Sequence, residues 1–233
     1  MLKNERKQKI LTLVNQKGYV DLETLSQALD SSESTVRRHL TELDEAHKLK
    51  RVHGGAESLA TMTHEENVAE KSIKNVQEKR EIAQRAAEKV LDDDVIFMDA
   101  GTTVAMMTAF LGDRRNLTVV TNSVHTAAAL LDKQIKTIII GGAVKSATDA
   151  VTGNVAVQQL MSFNFSKAFV GCNGISAEVG ITTPDEEEAT IKRLVCKQSR
   201  EKFILADSSK FDKIYFAKFA EYDDVTIITE ENH

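Results

Sequence analysis

A chain of 233 residues with 42% hydrophobic side chains, 28% charged side chains and a net charge of −5 is long enough for two cores, and this composition excludes a disordered or fibrous protein. It contains no apolar run near the ~18 residues that a membrane crossing needs, and its opening MLKNERKQKI lacks the apolar segment of a secretory leader, so a cytoplasmic location with no membrane partner is expected. The cysteines, Cys172 and Cys196, have no metal-ligand spacing and are expected as buried, reduced thiols; neither a metal nor a cofactor is expected.

Residues 4–15 form an amphipathic pattern with Ile10, Leu11, Leu13 and Val14 on the apolar side, and Lys17-Gly18 ends it. Asp21 is placed to cap a short helix over residues 22–29, with Leu22, Leu25 and Leu29 at helical spacing. After a turn at Asp30 and Ser31, Ser31 or Ser32 caps a third helix running to about residue 46, with Val36, Leu40 and Leu43 as its packing stripe. Residues 49–52 then form a short strand entering a turn at His53, Gly54 and Gly55. Three short helices followed by a hairpin predict a winged helix-turn-helix over residues 1–57.

Charge supports that assignment. Residues 1–57 carry 10 basic and 9 acidic side chains, while the remainder carries 20 and 26. Local clusters, not total charge, make a surface for phosphates. In the third helix Ser34, Thr35, Arg37 and Arg38 lie mainly off the packing stripe, and Lys50, Arg51 and His53 fall in the expected wing. Hydroxyls suit phosphates, and arginine suits phosphates or a bidentate contact to guanine. Taken alone, Arg37-Arg38 also fits an ordinary solvated face. The third helix turns acidic at Glu42, Asp44 and Glu45, so DNA contact is expected at its N-terminal half.

Residues 58–77 are polar and free of aromatics, and are expected to be a linker, partly helical from Glu65 onward. A helix follows over residues 78–91, with Ile82, Ala86 and Val90 on one face. Beyond it, short apolar runs at 95–98, 117–120, 137–140, 168–170, 203–205 and 225–228 read as buried strands. Helical stretches at 103–111, 123–131 and 186–199 lie between them. That alternation predicts an α/β domain over residues 78–233, a Rossmann-like parallel sheet with helices on both faces.

Polar loops recur where these strands end. Asp99, Gly101, Thr102 and Thr103 follow the first strand and open a helix, Asn122 follows the second, Gly141 and Gly142 the third, Asn173 the fourth and Lys210 the fifth. Ligands of open α/β sheets bind at C-terminal strand ends, so one composite anion pocket is expected. Thr102 and Thr103 equally fit a simple helix cap. Asp185 and Glu188 fit either acceptors for sugar hydroxyls or an acidic first helical turn, and Lys192 fits either a phosphate partner or an i, i+4 mate of Glu188.

The stretch STVRRHLTELDEAHKLKRVHGGA, with DAGTT, VTNS, IIGG, VGCNGI, TTPDEEEA and ADSSK downstream, closely resembles the DeoR family of sugar-metabolism repressors over roughly residues 1–229. The resemblance implies a sensor domain similar in fold to ribose-5-phosphate isomerase and CoA transferases, which binds a phosphorylated sugar without turning it over. The wording of the motifs is most similar to that of fructose-operon repressors, which implies fructose 1-phosphate. The family more usually has aspartate after the arginine pair, where this chain has His39.

The expected partners are double-stranded operator DNA and a phosphorylated sugar. A homodimer or homotetramer is also expected, because paired winged helices gain affinity from two half-sites. The competing possibility is a sugar-phosphate isomerase with Asp99, Asp185 or Glu188 as base, against which the winged helix speaks. An RNA-binding module fits poorly with 5% aromatic residues.

Overall fold

The computed structural model describes residues 3–46, 48–58 and 62–230. Residues 59–61 of the expected linker and residues 231–233 of the expected α/β domain lie outside the described residues. The chain divides into two compact units, Met1–His64 and Glu65–His233.

In the first unit, α1 (Lys3–Lys17) ends at Gly18, whose φ of +75° suits a residue without Cβ. Strand β1 (Tyr19–Asp21) leads straight into α2 (Leu22–Leu29), where the Asp21 carboxylate accepts from Thr24 N at 2.7 Å. The tight turn has Asp30 in the left-handed region at φ 47°, and Ser32 then caps α3 (Glu33–Glu45). Strands β2 (Lys50–Val52) and β3 (Gly55–Glu57) form the wing, and the antiparallel sheet order is β1-β3-β2. A Cβ on Gly55 would stand 2.3 Å from Val20 O, so β1 and β3 approach this closely only with glycine there. The core joins Ile10, Val14, Leu22, Leu25, Leu29, Val36, Leu40, Leu43 and Leu49. Leu11 and Leu13, expected with them, are half-buried at its edge. Strand β1 was not expected, because three residues carry too little periodicity to be read.

The second unit runs α4 (Val68–Ser72), α5 (Val76–Glu88), β4 (Val95–Met98), α6 (Thr102–Met106), β5 (Thr118–Thr121), α7 (Val124–Leu131), β6 (Lys136–Ile139), β7 (Ala143–Val144), β8 (Val151–Thr152) and α8 (Asn154–Leu160). It continues β9 (Phe165–Gly171), β10 (Gly174–Ser176), β11 (Gly180–Thr183), α9 (Glu186–Lys197), β12 (Ser199–Leu205), β13 (Ala217–Ala220) and β14 (Thr226–Ile228). The main sheet has the order β14-β12-β9-β4-β5-β6, with every pair parallel. Alternate residues bury on opposite faces. Ile96, Met98 and Phe169 pack with Ile82, Ala86 and Val90 of the α5 side, whereas Phe97, Ala168 and Val170 pack with Ile191 and Val195 of α9.

Two sequence expectations need correcting. Strand β6 is an edge strand, with Lys136 and Ile139 exposed, because the sheet order ends there. The stretch after β9 adds a second, antiparallel sheet, β10-β11-β13, whose strands of three or four residues, two of them opening on glycine, are too short to read in sequence.

Candidate DNA-reading surface and ligand pocket

Helix α3 turns Val36, Leu40 and Leu43 inward and leaves Ser34, Arg37 and Arg38 exposed, with Thr35 half-buried. Both hydroxyls sit on the cap: Ser34 Oγ is 3.0 Å and Thr35 Oγ1 3.1 Å from Ser32 Oγ. Arg37 pairs with Glu33 at 3.1 Å one turn earlier. From the wing, Arg51 reaches back to donate to Thr41 Oγ1 at 2.7 Å, and its backbone N–H bonds Asp44 at 3.3 Å. A cleft between helix and wing is lined by Arg37, Arg51, His53, Gly54 and Gly55, over a floor of Leu22 and Leu40. Arg37, Arg51 and His53 therefore share one cleft, while Arg38 and Lys50 are exposed outside its lining.

His39 is not part of this surface. It is fully buried, and neither ring nitrogen has a hydrogen-bond partner among the described residues. Burial holds its pKa below the ordinary value, against the pull of Glu42 at 4.0 Å, so the folded unit favours the neutral ring. Its place in the packing follows from the stripe: 39 lies three residues after Val36 and four before Leu43.

The second unit has a pocket at the C-terminal edge of the main sheet. From β4 the chain winds outward through β5 to β6, while β9, β12 and β14 fill the other side. Neighbouring loops diverge at such a switch point and leave a crevice. The loop after β4 (Ala100, Gly101, Thr102, Thr103) and the loop after β9 (Gly171, Cys172, Asn173) line it, with Glu188 and Lys192 from α9 and Lys210 beyond β12. A Cβ on Gly101 would lie 3.5 Å from Gly171 Cα, so the two loops touch backbone to backbone. Among the described residues no side chain caps the N-terminus of α6 behind Gly101.

Asp99 lies beneath the floor, bonded to Gly171 N at 3.0 Å and ion-paired with the Lys192 ammonium. Lys192 also donates to Gly171 O at 3.1 Å. Burial works against its charge, but Asp99 and Glu188 outweigh burial and raise its pKa. Glu188 accepts from Thr148 Oγ1 at 2.7 Å, and its pKa is raised, chiefly by burial.

Four expected pocket residues lie elsewhere. Asn122 is buried, and its carbonyl accepts from Val151 N at 2.7 Å. Gly141 N bonds Gln159 at 2.7 Å, and a Cβ on Gly142 would meet Thr152 O at 2.4 Å. Asn122 and Gly142 knit the β5 and β6 ends to β8, and Gly141 ties the β6 end to α8, so these residues hold the surrounding structure and are not in the pocket lining. Asp185 caps α9, accepting from Glu188 N at 2.9 Å, and pairs with Lys145. Burial would raise its pKa, but the Lys145 ammonium outweighs burial and lowers it.

In their place the structure brings in Val68, Lys71 and Lys79 from the segment before the sheet, with Thr148 and Leu205. Lys79 is buried, which lowers its pKa, and donates to Lys71 O. Nothing in the sequence singles out Lys71 or Lys79 among surface lysines; only their position against α6 does. The thiols are free, Cys196 buried and Cys172 half-buried at the pocket, where burial pushes the Cys172 thiol up to about 12. Among the described residues no helix is long and apolar enough to cross a membrane.

Residues 6–62 match the DeoR-like helix-turn-helix domain, and residues 74–231 match the DeoR C terminal sensor domain. The chain belongs to the DeoR family of transcriptional regulators. The regulator is 41% identical over 231 residues to the uncharacterized HTH-type transcriptional regulator FruR of Bacillus subtilis, with 99% of this chain and 92% of that one covered. It is 33% identical over 237 residues to the lactose phosphotransferase system repressor of Staphylococcus epidermidis, covering 100% and 94%. Its family is one of regulators, not enzymes, so the isomerase possibility falls away. Among solved structures, eIF2B delta from Chaetomium thermophilum superposes with a TM-score of 0.52 at 17% identity, over 69% of this chain and 58% of that one. Ribose 5-phosphate isomerase A from Methanocaldococcus jannaschii aligns at a TM-score of 0.45 and 19% identity, over 59% and 55%. These likenesses concern the fold alone.

Proposed function

We propose that this regulator acts in the cytoplasm as a repressor of a sugar-utilisation operon, and that a phosphorylated sugar, with fructose 1-phosphate the first candidate, binds the sensor pocket and changes operator affinity. The observation that carries the ligand reading is the makeup of the pocket. Lys71, Lys79, Lys192 and Lys210 stand around a glycine-threonine loop, with the Asn173 amide and the Glu188 carboxylate beside them. Ammonium groups, hydroxyls and an amide N–H suit a phosphate, and a carboxylate suits sugar hydroxyls. Lys192 is already committed to Asp99, which leaves Lys210 the better phosphate partner. The name of one relative, a lactose phosphotransferase system repressor, agrees with a sugar operon.

On the DNA side, Ser34, Thr35, Arg37 and Arg38 approach the major groove, and Lys50, Arg51 and His53 the backbone beside it. A homodimer or homotetramer presents two such surfaces to half-sites about one helical turn, ~10 bp, apart or a multiple of that. The ligand and DNA surfaces belong to different units, so coupling works through unequal ligand affinity for two states of the chain.

A thermal-shift screen against sugar phosphates tests this first, since a ligand of the folded state raises its stability. Operator titration with and without fructose 1-phosphate follows, for the wild type and Lys210→Ala. Loss of the response in Lys210→Ala with basal DNA binding kept supports the pocket. An unchanged response with wild-type ligand affinity overturns it.

A further inference from the structure

The first residue of the second unit, Glu65, reaches into the neighbourhood of the ligand pocket. Its Oε1 accepts from Asn173 Nδ2 at 3.2 Å and from the Lys71 ammonium. The Asn173 amide is oriented by Thr183, whose hydroxyl donates to Asn173 Oδ1 at 3.0 Å, so the amide N–H groups point to the Glu65 side. The other Glu65 oxygen, Oε2, is buried and has no hydrogen-bond partner among the described residues. The carboxylate lies close enough to add to the raised pKa of Lys192 and of Glu188.

The segment that carries Glu65 is fastened locally. Asn67 and Glu70 form a reciprocal cap on α4, Val68 N bonds Ala147 O at 3.0 Å, and Glu66 pairs with Lys74 at 2.8 Å. A carboxylate with an idle buried oxygen, paired with Lys71 and within electrostatic reach of Lys192, is a poor final occupant. A phosphate has three terminal oxygens and a charge of about −1.5 to −2, and it makes fuller use of Asn173, Lys71 and Lys210.

We propose that Glu65 is a tethered competitor of the anionic ligand: it holds Asn173 and Lys71 while the pocket is empty, and phosphate evicts it. This rests on the reading that the pocket takes a phosphate group. Eviction unfastens the chain directly after His64, the last residue of the DNA-binding unit, so ligand occupancy is passed to the connection between the units as a loss of order.

The test uses the full chain as wild type, Glu65→Gln and Glu65→Ala. Inorganic phosphate and fructose 1-phosphate are titrated by calorimetry, and amide hydrogen exchange is followed over residues 65–72 and 101–105. Both variants are expected to bind the probes more tightly, by roughly tenfold if the vacated contact is worth about 1.4 kcal/mol. In the wild type, saturating fructose 1-phosphate is expected to speed exchange over 65–72 and slow it over 101–105. Binding to the variants but not to the wild type also supports the proposal. Equal or weaker binding by both variants, or slower exchange over 65–72 with ligand, overturns it and leaves the phosphate pocket standing. If neither probe binds any of the three proteins, the phosphate reading itself fails, and the proposal with it.

Discussion

Replacing Lys192 by methionine removes the ammonium from a pair whose side chains are 7% and 3% exposed, and leaves the Asp99 carboxyl without its partner beneath the pocket floor. Asp99 then keeps its bond from Gly171 N at 3.0 Å but has lost its counter-charge. Breaking a buried pair from one side costs about 3–5 kcal/mol, whereas exchanging both partners for neutral groups of similar volume is near neutral. At about 2–4 °C per kcal/mol for a unit of this size, Lys192→Met lowers the melting temperature of the sensor unit by roughly 6–20 °C. Adding Asp99→Asn restores most of it, since the amide oxygen still accepts from Gly171 N and no charge is stranded. Scanning calorimetry of the full-length wild type, both single variants and the double variant completes the cycle. A single-variant loss below about 1 kcal/mol, or additive losses in the double variant, would refute the view that Lys192 is held in place by Asp99. Lys192 would then be free to meet a ligand.

Arg37→Ala and Arg38→Ala both weaken operator binding without unfolding the first unit. A base contact costs about 1–3 kcal/mol and relaxes sequence preference, while a phosphate contact weakens all sequences alike; fluorescence anisotropy at fixed salt on operator and scrambled DNA separates the two, and wild-type affinity in both variants removes them from the interface. For His39, burial lowers the folded pKa, so below about pH 6.5 the unfolded chain takes up a proton that the folded unit does not, and stability falls with pH in that range. Urea midpoints at pH 7.5 and 5.5 should differ more for the wild type than for His39→Leu, and equal differences count against a neutral buried ring. Gly55→Ala drives a Cβ to 2.3 Å from Val20 O and destabilises the first unit by about 1–3 kcal/mol, read as a lower melting temperature; an unchanged value means that β1 and β3 lie further apart than described.

The sequence by itself determined the features that local chemistry controls. The caps at Asp21 and Ser32, the packing stripe of α3, the wing turn and the alternation of apolar runs with amphipathic helices are all written within a few residues of where they act. The exposed face of the reading helix follows from the same periodicity, because the side chains that do not pack must face solvent. The family was legible as well, since its motifs are contiguous strings. Strand order was not legible, and it decided the pocket. Five strand-end loops had equal claims in the sequence, yet of these only the two flanking the β4–β9 junction and the loop after β12 line the crevice; the β5 and β6 loops bond to β8 and α8 instead. Lys71, Lys79 and Glu65 entered only through tertiary packing, because a charged residue in a polar stretch carries no local sign of the cavity it will meet. His39 shows both sides inside one helix: its spacing from Val36 and Leu43 puts it on the packing stripe, but that its ring is fully buried with no hydrogen-bond partner for either nitrogen among the described residues was decided by tertiary packing, because a polar side chain carries no local sign of what will close over it.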